Sequence, residues 1–203
     1  MCDKIIETVM EIIRELAEQW QELTEKGDKK TRAELAKNIQ KEFGDNLVLS
    51  DLDLEVEERG IFGIIGLNGS GKTTLLRVLV GFYRPEEGHV FFKGRDIKKQ
   101  DIKRSFGFAT QDNCFYDNLT VEENLKYFGG LYGLTKEFLE KNIKEVLELV
   151  ELYDARGTLA GNLSTGMQRR LDIACAIIHK PEVLILDEPT EDLDPKLRIR
   201  MLQ

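Results

Sequence analysis

Apolar side chains recur at Ile5, Ile6, Val9, Ile12, Ile13, Leu16, Trp20 and Leu23, with glutamates and a few bases between them. That three-and-four spacing makes one broad stripe on a helix. Residues 3–26 are therefore predicted to be an amphipathic helix whose stripe packs on its own domain or on a partner helix. Its acidic polar face argues against lying on anionic lipid. Gly27-Asp28-Lys29-Lys30 reads as a linker, so residues 1–30 form an N-terminal element separate from a main domain over 31–203. Residues 33–43 are ambiguous, because Leu35, Ala36, Ile39 and Phe43 fit a helix by period. From Leu52 to Val56 the alternation has period two, as in a half-buried antiparallel strand, and Gly60 ends it. The run Ile61, Phe62, Gly63, Ile64, Ile65 is apolar throughout and predicts a parallel strand buried on both faces. Leu75, Leu76, Val78, Leu79 and Val80 then suit a helix, and Arg84-Pro85-Glu86-Glu87-Gly88 a turn. Val90-Phe91-Phe92 and residues 105–109 read as short strands, and 120–132, 136–151 and 165–179 as helices. Val183-Leu184-Ile185-Leu186 is a second fully apolar strand, ending in Asp187 and Glu188. Such mixing of helices and strands is the pattern of an α/β protein.

Composition narrows the class. The chain has 203 residues, 41% hydrophobic and 33% charged with 4 Pro, which suits a globular protein with a sizeable core. No stretch reaches the roughly 18–20 apolar residues of a membrane span, and the N-terminus lacks the layout of a signal peptide. A cytosolic chain is expected. Cys2, Cys114 and Cys175 are far apart and form no C-x-x-C, so free thiols are expected. A net charge of −8 argues against a broad nucleic-acid-binding face. The basic pairs Lys98-Lys99, Lys103-Arg104 and Arg169-Arg170 read as solvated surface.

Between the first apolar strand and its helix lies Gly66-Leu67-Asn68-Gly69-Ser70-Gly71-Lys72-Thr73-Thr74, two glycines bracketing four residues and then lysine and a hydroxyl residue. This is the P-loop pattern in the strand–turn–helix setting it requires. Glycines without a Cβ let successive N–H groups of residues 66–74 approach a polyphosphate at the positive end of a helix. Lys72 is expected to reach the β and γ phosphates and the Thr73 hydroxyl to ligate magnesium. The second apolar strand would present Asp187 at its tip, the edge of an open α/β sheet where ligands bind, to hold that magnesium. Two adjacent acids there are costly to bury unless a metal or a reacting water uses them, which makes Glu188 the candidate base or positioner of an attacking water. Leu163-Ser164-Thr165-Gly166-Met167-Gln168 opens a helical stretch, so Ser164 and Gly166 offer N–H groups, a hydroxyl and a dipole end to an anion.

Together these segments resemble the nucleotide-binding domain of an ATP-binding-cassette (ABC) ATPase, whose signature loop is usually Leu-Ser-Gly-Gly-Gln. The resemblance covers roughly residues 33–203. It implies a P-loop NTPase core with a parallel sheet, an antiparallel β subdomain and a small helical subdomain at about 112–165, and it asks for a strand at 33–43. It also implies ATP and Mg2+ as ligands and a head-to-tail dimer in which Ser164 and Gly166 meet the γ-phosphate on the P-loop of a second copy. Phe43 matches the aromatic that stacks on adenine. Gln111 matches the glutamine that touches magnesium and couples to a membrane partner, and Asp194 the acid that reaches the opposing P-loop. The implied protein is the ATPase subunit of a transporter, cytoplasmic and held at the inner face of the membrane by a separate permease subunit. Met167 with the arginines behind it resembles signatures of export systems.

Three departures qualify this resemblance. Thr165 replaces the first signature glycine, at a cost that depends on its backbone angles. Glu191 stands where the family more often has a small residue. The family's switch histidine follows one more helix and strand beyond Asp194, whereas His89 and His179 both precede it and the sequence stops at Gln203. It therefore reads as C-terminally truncated, expected to bind nucleotide with little turnover. A soluble ABC ATPase acting on ribosomes or nucleic acid would need tandem cassettes or a long insertion between Gln111 and Ser164. A P-loop nucleoside kinase has no use for residues 163–168.

Overall fold

A computed structural model describes residues 32–57, 61–97 and 102–188. The helix expected at 3–26, the linker after it, Glu191 and Asp194 lie outside the described residues. Described residues up to 103 belong to one compact unit and those from 104 onward to a second. Among the described residues no helix is long and apolar enough to cross a membrane.

The first unit is built on an antiparallel sheet of order β2-β1-β3-β4. Its strands are β1 (Arg32–Phe43), β2 (Asn46–Glu57), β3 (Glu87–Phe92) and β4 (Arg95–Asp96). Helix α1 (Lys72–Leu79) follows β2 in the chain. The ambiguous segment is thus a strand, and its helix-like period has a local cause. Ala36 pairs with Leu54 and Ile39 with Leu52, three residues on β1 against two on β2. This extra residue is a β-bulge, which shifts the inward phase by one position. Ala36 and Ile39, three apart, are consequently both fully buried. Asn38 sits in the bulge at φ 50°, with its N–H donating to Asp53 Oδ1 at 2.6 Å and its Nδ2 to Asp51 Oδ1 at 2.8 Å. On the other side of β1, a Cβ on Gly88 would lie 2.2 Å from Asn38 O, and Gly88 is at φ +87°. Only glycine lets β3 close on the bulge.

One expectation fails here. Residues 61–67 form no strand, and Ile61, Phe62, Ile65 and Leu67 are 72, 55, 77 and 85% exposed. A strand needs a ladder partner, and no strand of the sheet in its own unit pairs with this segment.

The second unit contains a parallel pair, β5 (Phe106–Ala109) and β6 (Val183–Leu186), in register from Phe106↔Val183 to Ala109↔Leu186. Its helices are α2 (Val121–Leu131), α3 (Lys136–Leu149) and α4 (Thr165–Ile177). All three were expected from periodicity, and they bury Val121, Leu125, Leu147, Leu171 and Ile173 completely or nearly so. Thr120 and Glu123 close α2 with a reciprocal capping box. Cys114 and Cys175 are free thiols, as expected, and Cys2 is outside the described residues.

His179, just past α4, stacks on Tyr132 with ring centroids 3.5 Å apart and its Nε2 donates to Phe106 O at 3.1 Å. Burial lowers its pKa from 6.5 to about 4, against the opposing effect of that hydrogen bond. The folded state therefore binds fewer protons than the unfolded chain between those values. Its stabilising contribution is full above pH 6.5 and is lost as pH falls toward 4. Urea titrations at pH 7 and pH 4.5 are expected to show a fall in midpoint that His179→Phe reduces.

Candidate functional site

In the first unit the glycine loop folds as its sequence demands. Gly69 and Gly71 adopt φ 78° and 91°, a region that penalises any Cβ. The Ser70 N–H donates to Leu67 O at 3.1 Å, and Gly71 O accepts the first helical bond, from Leu75 N, at 2.8 Å. Lys72 begins α1, and its ammonium donates to the carbonyls of Gly66 and Leu67 at 3.1 and 3.0 Å. Its charge therefore lies over the loop. Gly71 caps α1 with no side-chain hydrogen bond, and no acidic residue occupies the first turn. An anion placed at the N-terminus of α1 would meet the helix's positive end with no acidic side chain of its first turn opposing it. Helix α2 makes the contrast, with its capping box and with Glu122 and Glu123 in its first turn. Asn68, Ser70 and Gly66 are exposed on the loop, while Thr73 and Thr74 are half-buried at the helix start.

Val48 and Leu49 at the start of β2 press on this turn, since a Cβ on Gly71 would lie 3.1 Å from each of their side chains. Phe43 pairs with Asn46 across the β1–β2 hairpin, two residues before Val48. Its ring is 43% exposed, edge-on to Tyr83 at 5.2 Å, with the Lys41 ammonium 5.0 Å from its centroid. The hairpin thus brings an accessible aromatic to the same end of the unit as the glycine loop.

In the second unit the parallel pair brings two expected site segments together. Ala109 and Leu186 are paired partners, and the Asp187 N–H donates to Ala109 O at 2.9 Å. Gln111 and Glu188 therefore leave the same sheet edge. Asp187 is 2% exposed and Gln111 is exposed. Glu188 is half-buried at φ 46°, a conformation that costs a non-glycine residue about 1–2 kcal/mol. Helix α4 starts at Ser164, whose Oγ accepts the Met167 N–H at 3.4 Å, and its first turn also lacks an acid. Leu163 and Gly166 are buried whereas Ser164 and Thr165 face solvent. Thr165 is the first helical residue and is not at positive φ, so its β-carbon strains nothing there.

The basic pair Arg169-Arg170 is not solvated surface. Their side chains are 14 and 18% exposed, and both reach backbone carbonyls as well as acids. Arg169 donates to Thr110 O at 2.6 Å, Asp187 O at 3.2 Å and Asp172 Oδ2 at 3.1 Å. Arg170 donates to Val150 O and Glu151 Oε2. Burial raises the Asp172 carboxyl above its ordinary pKa, against the pull of the Cys114 N–H and Arg169. The sequence marked Arg169 only as part of a basic pair read as solvated surface and of an export-like signature, and it did not mark Asp172. Their i, i+3 spacing on a helix was visible, but not the carbonyls they serve.

The expected metal ligands, Thr73, Gln111 and Asp187, offer hydroxyl, amide and carboxylate oxygens. This all-oxygen set fits a hard divalent cation such as Mg2+. Among the described residues no group of three or more His, Cys, Asp or Glu is placed to hold a metal by itself.

Residues 49–191 match the family model described as ABC transporter. The chain is 36% identical over 165 residues to the Fe(3+) ions import ATP-binding protein FbpC of Fusobacterium nucleatum, covering 81% of this chain and 44% of that protein. It is 37% identical over 164 residues to Nod factor export ATP-binding protein I of Cupriavidus pinatubonensis, covering 80 and 50%. With the bacitracin transport ATP-binding protein BcrA of Bacillus licheniformis it shares 39% identity over 160 residues, covering 78 and 51%. The chain spans about half the length of these curated relatives. A solved structure titled as the ATP binding subunit of an ABC transporter aligns at TM-score 0.70 and 28% identity, over 83% of this chain and 71% of that one. With the glycine loop, the Ser164 helix start and the acid-tipped strand in place, this chain belongs to the ABC transporter family and carries its ATP-binding domain.

Proposed function

We propose that the chain binds and hydrolyses ATP as the ATPase subunit of an ABC transporter, driving export through a separate membrane subunit. The observation that carries the reading is the glycine loop, with Lys72 folded over it at the acid-free start of α1. The backbone N–H groups of residues 66–74 and the Lys72 ammonium bind the triphosphate, and the Phe43 ring stacks on adenine. Thr73, Asp187 and Gln111 would hold Mg2+, which supplies charge neutralisation at the β and γ phosphates when bound. Glu188 orients the attacking water and takes its proton. Ser164 and Gly166 of one copy meet the γ-phosphate held by a second, and Asp194, outside the described residues, is the acid proposed to face the opposing loop. Two copies so joined sit on the cytoplasmic face of the permease. Met167 followed by Arg169-Arg170, which resembles signatures of export systems, favours export, and relatives named for export are among those the chain matches alongside one named for import.

Calorimetric titration tests the first step. Saturable binding of ATP with Mg2+, weakened when Mg2+ is chelated, is expected. Absence of any nucleotide binding would overturn the reading.

A further inference from the structure

We infer that Arg169 and Asp172, one turn apart on α4, are positioning residues that aim Gln111 and Glu188; the inference rests on the ATPase reading above. Arg169 does not simply satisfy Asp172. Its Nη1 donates to Thr110 O at 2.6 Å and its Nη2 to Asp187 O at 3.2 Å. Those carbonyls belong to the two peptide units that immediately precede Gln111 and Glu188. Rotation of either peptide would swing the side chain that follows it. Asp172 completes the frame: Oδ2 accepts from Arg169 Nη1 at 3.1 Å and Oδ1 from the Cys114 N–H at 3.0 Å, so the loop after β5 is held at both ends.

The two side chains are 14 and 1% exposed. A buried ion pair is rarely more stabilising than apolar residues of equal volume, so stability alone is a weak reason for it. What apolar residues could not do is hold two carbonyls just beyond the ends of β5 and β6, where regular pairing stops. A planar guanidinium has two nitrogens at fixed separation for this, and a lysine has one. The same helix begins at Ser164. A movement of the Gln111 loop or of the β6 tip is therefore felt at the Ser164 end through Arg169.

The test compares the full-length wild type with Arg169→Met/Asp172→Leu, which removes both charges, and with Arg169→Lys, which keeps the charge but not the fork. Folding is checked by circular dichroism and a cooperative thermal transition. In both variants kcat is expected to fall at least about tenfold, as for a misplaced catalytic group, while ATP affinity, set mainly by residues 66–74 and affected through Gln111 only by way of Mg2+, falls by a smaller factor. A folded double variant with kcat within about twofold of wild type overturns the inference. If the double variant does not fold, Arg169→Lys decides: a fall in kcat larger than the change in KM supports the inference, and wild-type kcat overturns it. A wild type that binds no ATP overturns the functional reading itself, before any variant is compared.

Discussion

Replacing Lys72 by alanine is expected to abolish measurable ATP binding while leaving the fold intact. The lysine ammonium donates to the Gly66 and Leu67 carbonyls, while the turn also carries the Ser70 to Leu67 and Leu75 to Gly71 backbone bonds, which do not involve the lysine side chain. Its main loss is therefore to the ligand. Charge-assisted hydrogen bonds contribute about 1.5–3 kcal/mol each, so losing those to the β and γ phosphates weakens binding by roughly a hundredfold or more. Titration calorimetry with ATP and Mg2+, alongside thermal unfolding in the absence of nucleotide, separates the two effects. Affinity within a few-fold of wild type would remove Lys72 from the site.

The second large effect is expected for Glu188→Gln in the full-length protein. The substitution keeps size and polarity but removes the group assigned to accept the proton of the attacking water, a role worth about 10²–10⁴ in rate. Binding should persist, because the triphosphate contacts proposed here lie at residues 66–74. With cleavage blocked, the ATP-bound dimer should accumulate and elute from a sizing column at twice the protomer mass. A variant that stays monomeric in saturating ATP would count against two copies sharing the nucleotides. The backbone of Glu188 at φ 46° adds a physical motive for its role, since a strained residue at a sheet edge persists only where its surroundings hold it.

How far the fold could be read depended on how local each determinant was. The helices over 120–132, 136–151 and 165–179 were legible from period, because each buries one stripe and two of them start on clear caps, Thr120 and Ser164. Residues 33–43 were not, because a bulge at Asn38 mimics helical spacing inside a strand. The run at 61–65 misled in the other direction. Its composition suits a buried strand, but no ladder partner in its own unit takes it up, and Ile61 and Ile65 remain exposed.

The candidate site divides in the same way. Along the chain alone, residues 66–74 determined the glycine turn with Lys72 folded over it, because glycine dihedrals, the Lys72 reach and the start of α1 all act within a few positions of one another. The acid-tipped strand and the Ser164 cap were equally local. Only the tertiary structure decided that Gln111 and Glu188 leave one sheet edge, through the pairing of Ala109 with Leu186, and that Arg169 grips the peptide before each of them. Arg169 finds Thr110 across 59 positions of sequence. A period or a motif reports contacts a turn or two away, whereas the partner of a buried guanidinium is set by which distant carbonyls the packed sheet leaves beyond its last hydrogen bonds.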